Sequence, residues 1–151
     1  MKYVLLFFLF IFTITSHAQI KIEDVGDNWK FKVTEALRLI EKTDLEKYLT
    51  LIDVCNHISF WNGKFSTTED SKTIMISQKD MNFNSINNIA AILVHESKHL
   101  FYVKNNCRLL PNDEEVICYR YELNFLSRIP NVEPWLIENA KSKIKYYESL
   151  D

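Results

Sequence analysis

Two imidazoles and a carboxylate fall within five residues, His95-Glu96-Ser97-Lys98-His99. At about 3.6 residues per turn, a helix brings His95 and His99 onto one face, where both can reach a single metal ion. Glu96 sits about 100° further round, too far to join them as a ligand but close enough to touch a water held by the metal. Zn²⁺ suits such a pair: it takes His nitrogens at about 2.0–2.1 Å and keeps one tetrahedral position open in catalytic sites. The plainer alternative is a helix that happens to carry these residues. The flanks, Ile89-Ala90-Ala91-Ile92-Leu93-Val94 and Leu100-Phe101-Tyr102-Val103, predict burial, and a buried His pair with a Glu between them is costly unless partnered.

The helix that carries the motif is well bounded. Asn84 or Ser85 can cap its start, neither Pro nor Gly interrupts it, and Asn105-Asn106 marks its end. The motif in this setting resembles the zincin metallopeptidases, whose active-site helix carries His-Glu-x-x-His. Position 98 is Lys, where zincins usually carry an uncharged residue, so Lys98 is expected to point to solvent from the far face. The fold class implied is α+β: a small, mostly helical zincin-like domain with a short β-hairpin or antiparallel sheet packed against the active-site helix.

Zinc held by two His expects a third protein ligand. The metzincin continuation would need Gly at 102 and His at 105, whereas the chain has Tyr102 and Asn105, and no His follows His99. The resemblance that remains is to compact gluzincins, in which a Glu from a downstream helix completes a His-His-Glu set. It puts Glu115 in that role, with the small Cys118 three residues on allowing close approach of the two helices. Glu122 is the alternative, as ligand or as a carboxylate holding a His. Glu114 is expected to be solvated, and Glu114-Glu115 also reads simply as an acidic first turn favoured by the helix dipole. His57 is a further candidate ligand.

The activity this implies is peptide hydrolysis, with Glu96 as general base on the water that zinc activates. Tyr119, Tyr121, Tyr102 and His57 are candidates to hold the oxyanion. The alternative is a binding or inhibitor module whose zinc is structural or which has no turnover. A closed structural site would take a fourth protein ligand, for which Cys118 and Glu122 are the candidates.

The surrounding elements follow from periodicity. Apolar residues from Trp29 to Ile40 predict one helix, and Thr43-Asp44-Leu45-Glu46 reads as a capping box opening a second that runs to Cys55. Ile58 to Trp61 and Lys64 to Ser66 flank Asn62-Gly63, a strong hairpin signal. Thr73 to Ser77 alternates as a strand. By resemblance it would be the edge that pairs with extended substrate. Pro111 opens the helix carrying Glu115 and Glu122, and Pro134-Trp135 opens a last amphipathic helix in which no chemistry is legible.

Composition sets the broad class. The chain has 151 residues, 47% hydrophobic and 25% charged, with net charge −2. That is too weak and mixed for nucleic-acid binding or docking on anionic membranes. Residues 1–18 read as a signal peptide: Lys2, an apolar run from Tyr3 to Ile14, and small residues before cleavage after Ala18. The run is short of the roughly 20 residues of a membrane span, so an exported protein with no stable membrane insertion is expected, its residues 19–151 forming one domain. In an oxidising compartment Cys107 and Cys118 are candidates to pair, while Cys55 reads as a buried thiol.

Overall fold

The computed structural model describes residues 20–26, 28–83 and 85–150; the expected signal peptide lies outside them. The chain runs β1 (Lys21–Ile22), α1 (Trp29–Thr43), α2 (Leu45–Val54), β2 (His57–Trp61), β3 (Thr67–Thr68), β4 (Thr73–Ser77), α3 (Gln78–Met81), α4 (Ile86–Lys104), α5 (Pro111–Leu126) and α6 (Pro134–Glu148). This is an α+β fold built on a four-stranded mixed sheet of order β1-β2-β4-β3.

α4 is the centre of the packing. It touches α1, α2, α3, α5, β3 and β4, and Ile89, Ala90, Ala91, Leu93, Val94 and Leu100 join one buried cluster with Val33, Ala36 and Ile40 of α1 and Ile58, Ile74 and Ile76 of the sheet. A helix apolar on most of its circumference has to be enclosed in this way. Its start is tied down by Ser85, whose Oγ accepts from the Asn88 N–H at 3.1 Å. Glu133, just ahead of α6, receives Ser85 Oγ and Asn87 Nδ2, each at 2.5 Å.

Two sheet expectations are corrected. Asn62-Gly63 does not close a hairpin: β2 pairs in parallel with β1 on one side and β4 on the other. A two-residue hairpin turn of the Asn-Gly kind needs positive φ at both positions, and neither residue has it. Instead the Trp61 indole folds over Gly63, where any β-carbon would collide with the ring, and its Nε1 donates to the Phe65 carbonyl at 3.1 Å. Nor is β4 the edge. β3 lies beyond it, antiparallel, with Thr67 opposite Met75 and Thr68 opposite Ile74.

α2 starts one residue later than a Thr43 cap would place it. Asp44 is the cap, accepting from the Lys47 N–H at 3.2 Å. The same buried carboxylate meets Lys47 Nζ at 3.0 Å and Arg128 Nη1 at 2.8 Å, while Lys47 Nζ donates to Asn124 Oδ1 at 3.0 Å. The cluster therefore joins α2 to α5. Burial opposes ionisation of Asp44, but bonding to Lys47 and the nearby Arg128 outweigh it and hold the carboxyl below its usual range. The three cysteines are free, Cys107 exposed and Cys55 and Cys118 buried, so the expected Cys107–Cys118 pairing is not formed.

A depressed carboxyl value stabilises the fold above the unfolded value, and that stability is lost as pH falls through the folded one. Asp44→Asn should therefore lower stability at pH 7 by about 3 kcal/mol, because Lys47 loses its buried counter-ion. The deficit should shrink in urea unfolding repeated well below about pH 4, where the wild-type carboxylate is also protonated.

Candidate metal centre

α4 and α5 build the centre between them. His95 and His99 lie one turn apart on the face of α4 that meets α5, with Glu114 and Glu115 at the start of α5 and Glu122 two turns further on. His99 Nδ1 lies 2.6 Å from Glu114 Oε1, and His95 Nδ1 lies 3.0 Å from Glu122 Oε2. A carboxylate there accepts, so each Nδ1 carries a hydrogen, and in its neutral form each ring keeps its lone pair on Nε2. The two Nε2 atoms converge to 3.2 Å. Two lone pairs at that distance repel unless a cation or a proton stands between them.

Glu115 completes the group. Its two oxygens lie 3.5 Å from His95 Nε2 and 3.6 Å from His99 Nε2. Ligand atoms on a tetrahedral ion with bonds of about 2.0–2.1 Å stand about 3.3–3.4 Å apart, so the triangle has the size such an ion needs. Among the described residues, His95, His99 and Glu115 form the group able to hold a metal. Neither Cys118 nor Glu122 adds a fourth atom to it, and His57 stands apart in β2.

Cys118, three residues after Glu115, is fully buried. Two expectations on nearby residues are corrected. Glu114 is not solvated away from the site but holds His99. Lys98 is half-buried, its Nζ 4.4 Å, 4.9 Å and 5.1 Å from the ring centres of Phe101, Tyr102 and Tyr121. Those cation–π contacts let a charge sit beside the buried helix, and they occupy two of the candidate tyrosines. The third, Tyr119, packs edge-on against the His95 ring at 4.3 Å.

Electrostatics follow from four carboxylates around two imidazoles. Burial disfavours the His95 cation, yet Glu115, Glu122 and Glu96 outweigh it and push the imidazole up to about 10. Burial raises Glu96 above the ordinary carboxyl range, with Glu115 and Glu122 adding to the rise and the two His opposing it. Glu115 goes the other way: despite burial, His95, His99 and Lys143 hold it low. Burial together with Glu122 and Glu115 keeps the Tyr119 hydroxyl protonated far above neutral pH.

The triad opens into a cleft of about 490 Å³ lined by Thr67, Thr68, Leu109, Glu96, Tyr119 and Tyr147 among others. A second cleft of about 310 Å³ adjoins it, sharing Phe65, Ser66, His95, Glu96, Tyr119 and Lys143 and ending at Phe83 and Trp135. Together they make a groove that passes the triad. The α6 side chains Lys143 and Tyr147 line the cleft beside the triad, a placement not foreseen from the sequence. Nothing in an amphipathic stripe reveals which face meets a site on another helix.

One equivalent of zinc per chain is expected, lost in His99→Ala and Glu115→Ala, while Glu122→Ala should weaken binding by about 10–100-fold; metal analysis after dialysis against a chelator series reads all three. The raised His95 value has its own consequence in the metal-free protein. A group raised above its unfolded value of about 6.5 contributes stability fully present below that value and lost as pH rises through the folded one. Metal-free protein should therefore lose thermal stability between pH 6.5 and about 10, and Glu122→Gln should flatten that dependence.

Comparison with family models, curated proteins and solved structures returns no match, so the functional reading of this centre rests on its own geometry.

Proposed function

We propose that the protein is an exported zinc-dependent peptidase of zincin type, a compact gluzincin-like member with a His95-His99-Glu115 ligand set. The observation that carries this reading is the pair of Nε2 atoms 3.2 Å apart, each imidazole oriented by its own carboxylate and facing Glu115 in an open groove. Three protein ligands with a solvent-facing side is the pattern of a catalytic zinc site; a closed structural site would carry a fourth.

Zinc bound there would supply a Lewis acid that polarises a carbonyl and makes a water nucleophilic near neutral pH. The chain's own residues do the rest. Glu114 and Glu122 hold the two rings in the tautomer that presents Nε2. Glu96, buried at the junction of the two clefts, has a carboxyl with raised proton affinity. That matches it to accept a proton from water and pass it to a departing amine. Tyr119, kept protonated by its surroundings, offers an O–H donor to the oxyanion that develops on the attacked carbonyl.

β3 lies at the outer end of the strand order, and Thr67 and Thr68 line the cleft. A substrate laid along it in extended form would add as a further strand, its backbone held by N–H and C=O groups. The leader pattern at residues 1–18 accords with export, and no described helix is long and apolar enough to cross a membrane.

Glu96→Gln should retain stoichiometric zinc and lose about 10²–10⁴ in kcat on peptides, while Tyr119→Phe should lose about 10²–10³ with KM little changed. Peptide turnover by the zinc-loaded protein, followed by mass spectrometry, checks both. Wild-type turnover retained in Glu96→Gln would remove the mechanism.

A further inference from the structure

The groove is electrically lopsided. At the triad it is acidic, through Glu96, Glu114 and Glu115. The far part of the second cleft carries Lys64 and Lys79, while Lys143 lines both clefts. Among the described residues no ion pair engages any of these lysines. Of the carboxylates lining that cleft, Glu96 and Glu122 stand at its triad end and Asp80 is tied into its wall. Asp80 Oδ2 accepts from Ser66 N–H at 3.0 Å, Ser66 Oγ at 2.7 Å and Ser77 Oγ at 2.8 Å, and Glu122 holds His95. Lys64 and Lys79 therefore line the groove without an ion-pair partner among the described residues.

The wall beside them is apolar. Phe83 and Trp135 sit with ring centres 5.3 Å apart, and both are well exposed, at 56% and 42%. Cations next to exposed aromatic rings match a ligand with a negative group close to an apolar one.

We propose that this arm of the groove recognises a carboxylate on the peptide substrate, set to one side of the bond to be cut and next to an apolar residue. The inference rests on the peptidase reading of the centre. Lys64 and Lys79 attract the carboxylate to the far end of the groove, away from the triad, and so set how the peptide lies. A C-terminal carboxylate and an acidic side chain share the chemistry involved.

Binding separates this from catalysis. Zinc-loaded protein carrying Glu96→Gln is titrated with three fluorescently labelled peptides that end in Phe-Ala. One has a free C-terminus, one is an amide, and one is an amide with Glu before the Phe. One or both carboxylate peptides should bind about tenfold tighter than the neutral amide at low salt, and the advantage should fade as salt rises. A preference for the free acid alone identifies the C-terminus as the source; a preference for the Glu peptide identifies the side chain. Lys64→Gln and Lys79→Gln together should abolish the preference, with zinc content unchanged as the check on folding. The proposal is overturned if the neutral amide binds as tightly as both carboxylate peptides, if no peptide binds, or if the preference survives the double change. Wild-type protein that cuts neutral and acidic peptides equally would sink this inference and leave the peptidase reading intact. Carboxylate-selective binding with no cleavage by wild type would do the reverse.

Discussion

The contact between α4 and α5 holds the structure and its chemistry together. Its central fact is one of charge: Glu96, Glu114, Glu115 and Glu122 surround two imidazoles, and Glu96 and Glu122 are almost wholly buried. Such a cluster is unfavourable as bare anions. It becomes tenable when protons or a dipositive ion sit on the His nitrogens, and the Nδ1 bonds to Glu114 and Glu122 leave the Nε2 atoms as the places to put them. The same bonds staple α5 to α4 at two levels, so forming the helix pair and forming the site are one event.

The rest of the fold serves that pair. The apolar circumference of α4 requires a shell of α1, α2 and the sheet, and the start of α4 is tied through Glu133 to the entry of α6. That tie swings α6 back along α5, where Tyr147 stacks against Tyr119 at 6.0 Å. Across the groove, Asp80 gathers Ser66 and Ser77 and so sets the turn carrying Phe65 and the strand Thr67–Thr68 over the site. Both walls of the groove are thus held by carboxylates at helix starts, Asp80 in α3 and Glu133 ahead of α6.

Much of the helical plan was legible. The stripes at 29–40 and 45–55, the long apolar run around the motif, and the Pro-led starts at 111 and 134 each correspond to an observed helix, because spacing and caps act locally. Thr73 to Ser77 was read as a strand to the residue. The pairing of that strand was not legible. Asn62-Gly63 looks like a hairpin turn by composition, but β2 satisfies its backbone with two parallel partners from distant parts of the chain. The two-residue β1 was not legible either, since so short a strand has no period of its own.

What the sequence determined by itself is the pairing of His95 with His99 and the placement of Glu96 beside them, since helical geometry alone carries side chains four residues apart to one face. It also narrowed the partner to Glu115 or Glu122 on the helix after Pro111. Only the tertiary structure divided the roles: Glu115 faces both Nε2 atoms, while Glu114 and Glu122 hold the Nδ1 atoms. The reason is that the roles depend on the rotation with which α5 returns along α4, and one helical step in that rotation would exchange Glu115 for its neighbour. The contribution of α6 is of the same kind, because Lys143 and Tyr147 reach the groove through an interhelical contact that no local spacing encodes.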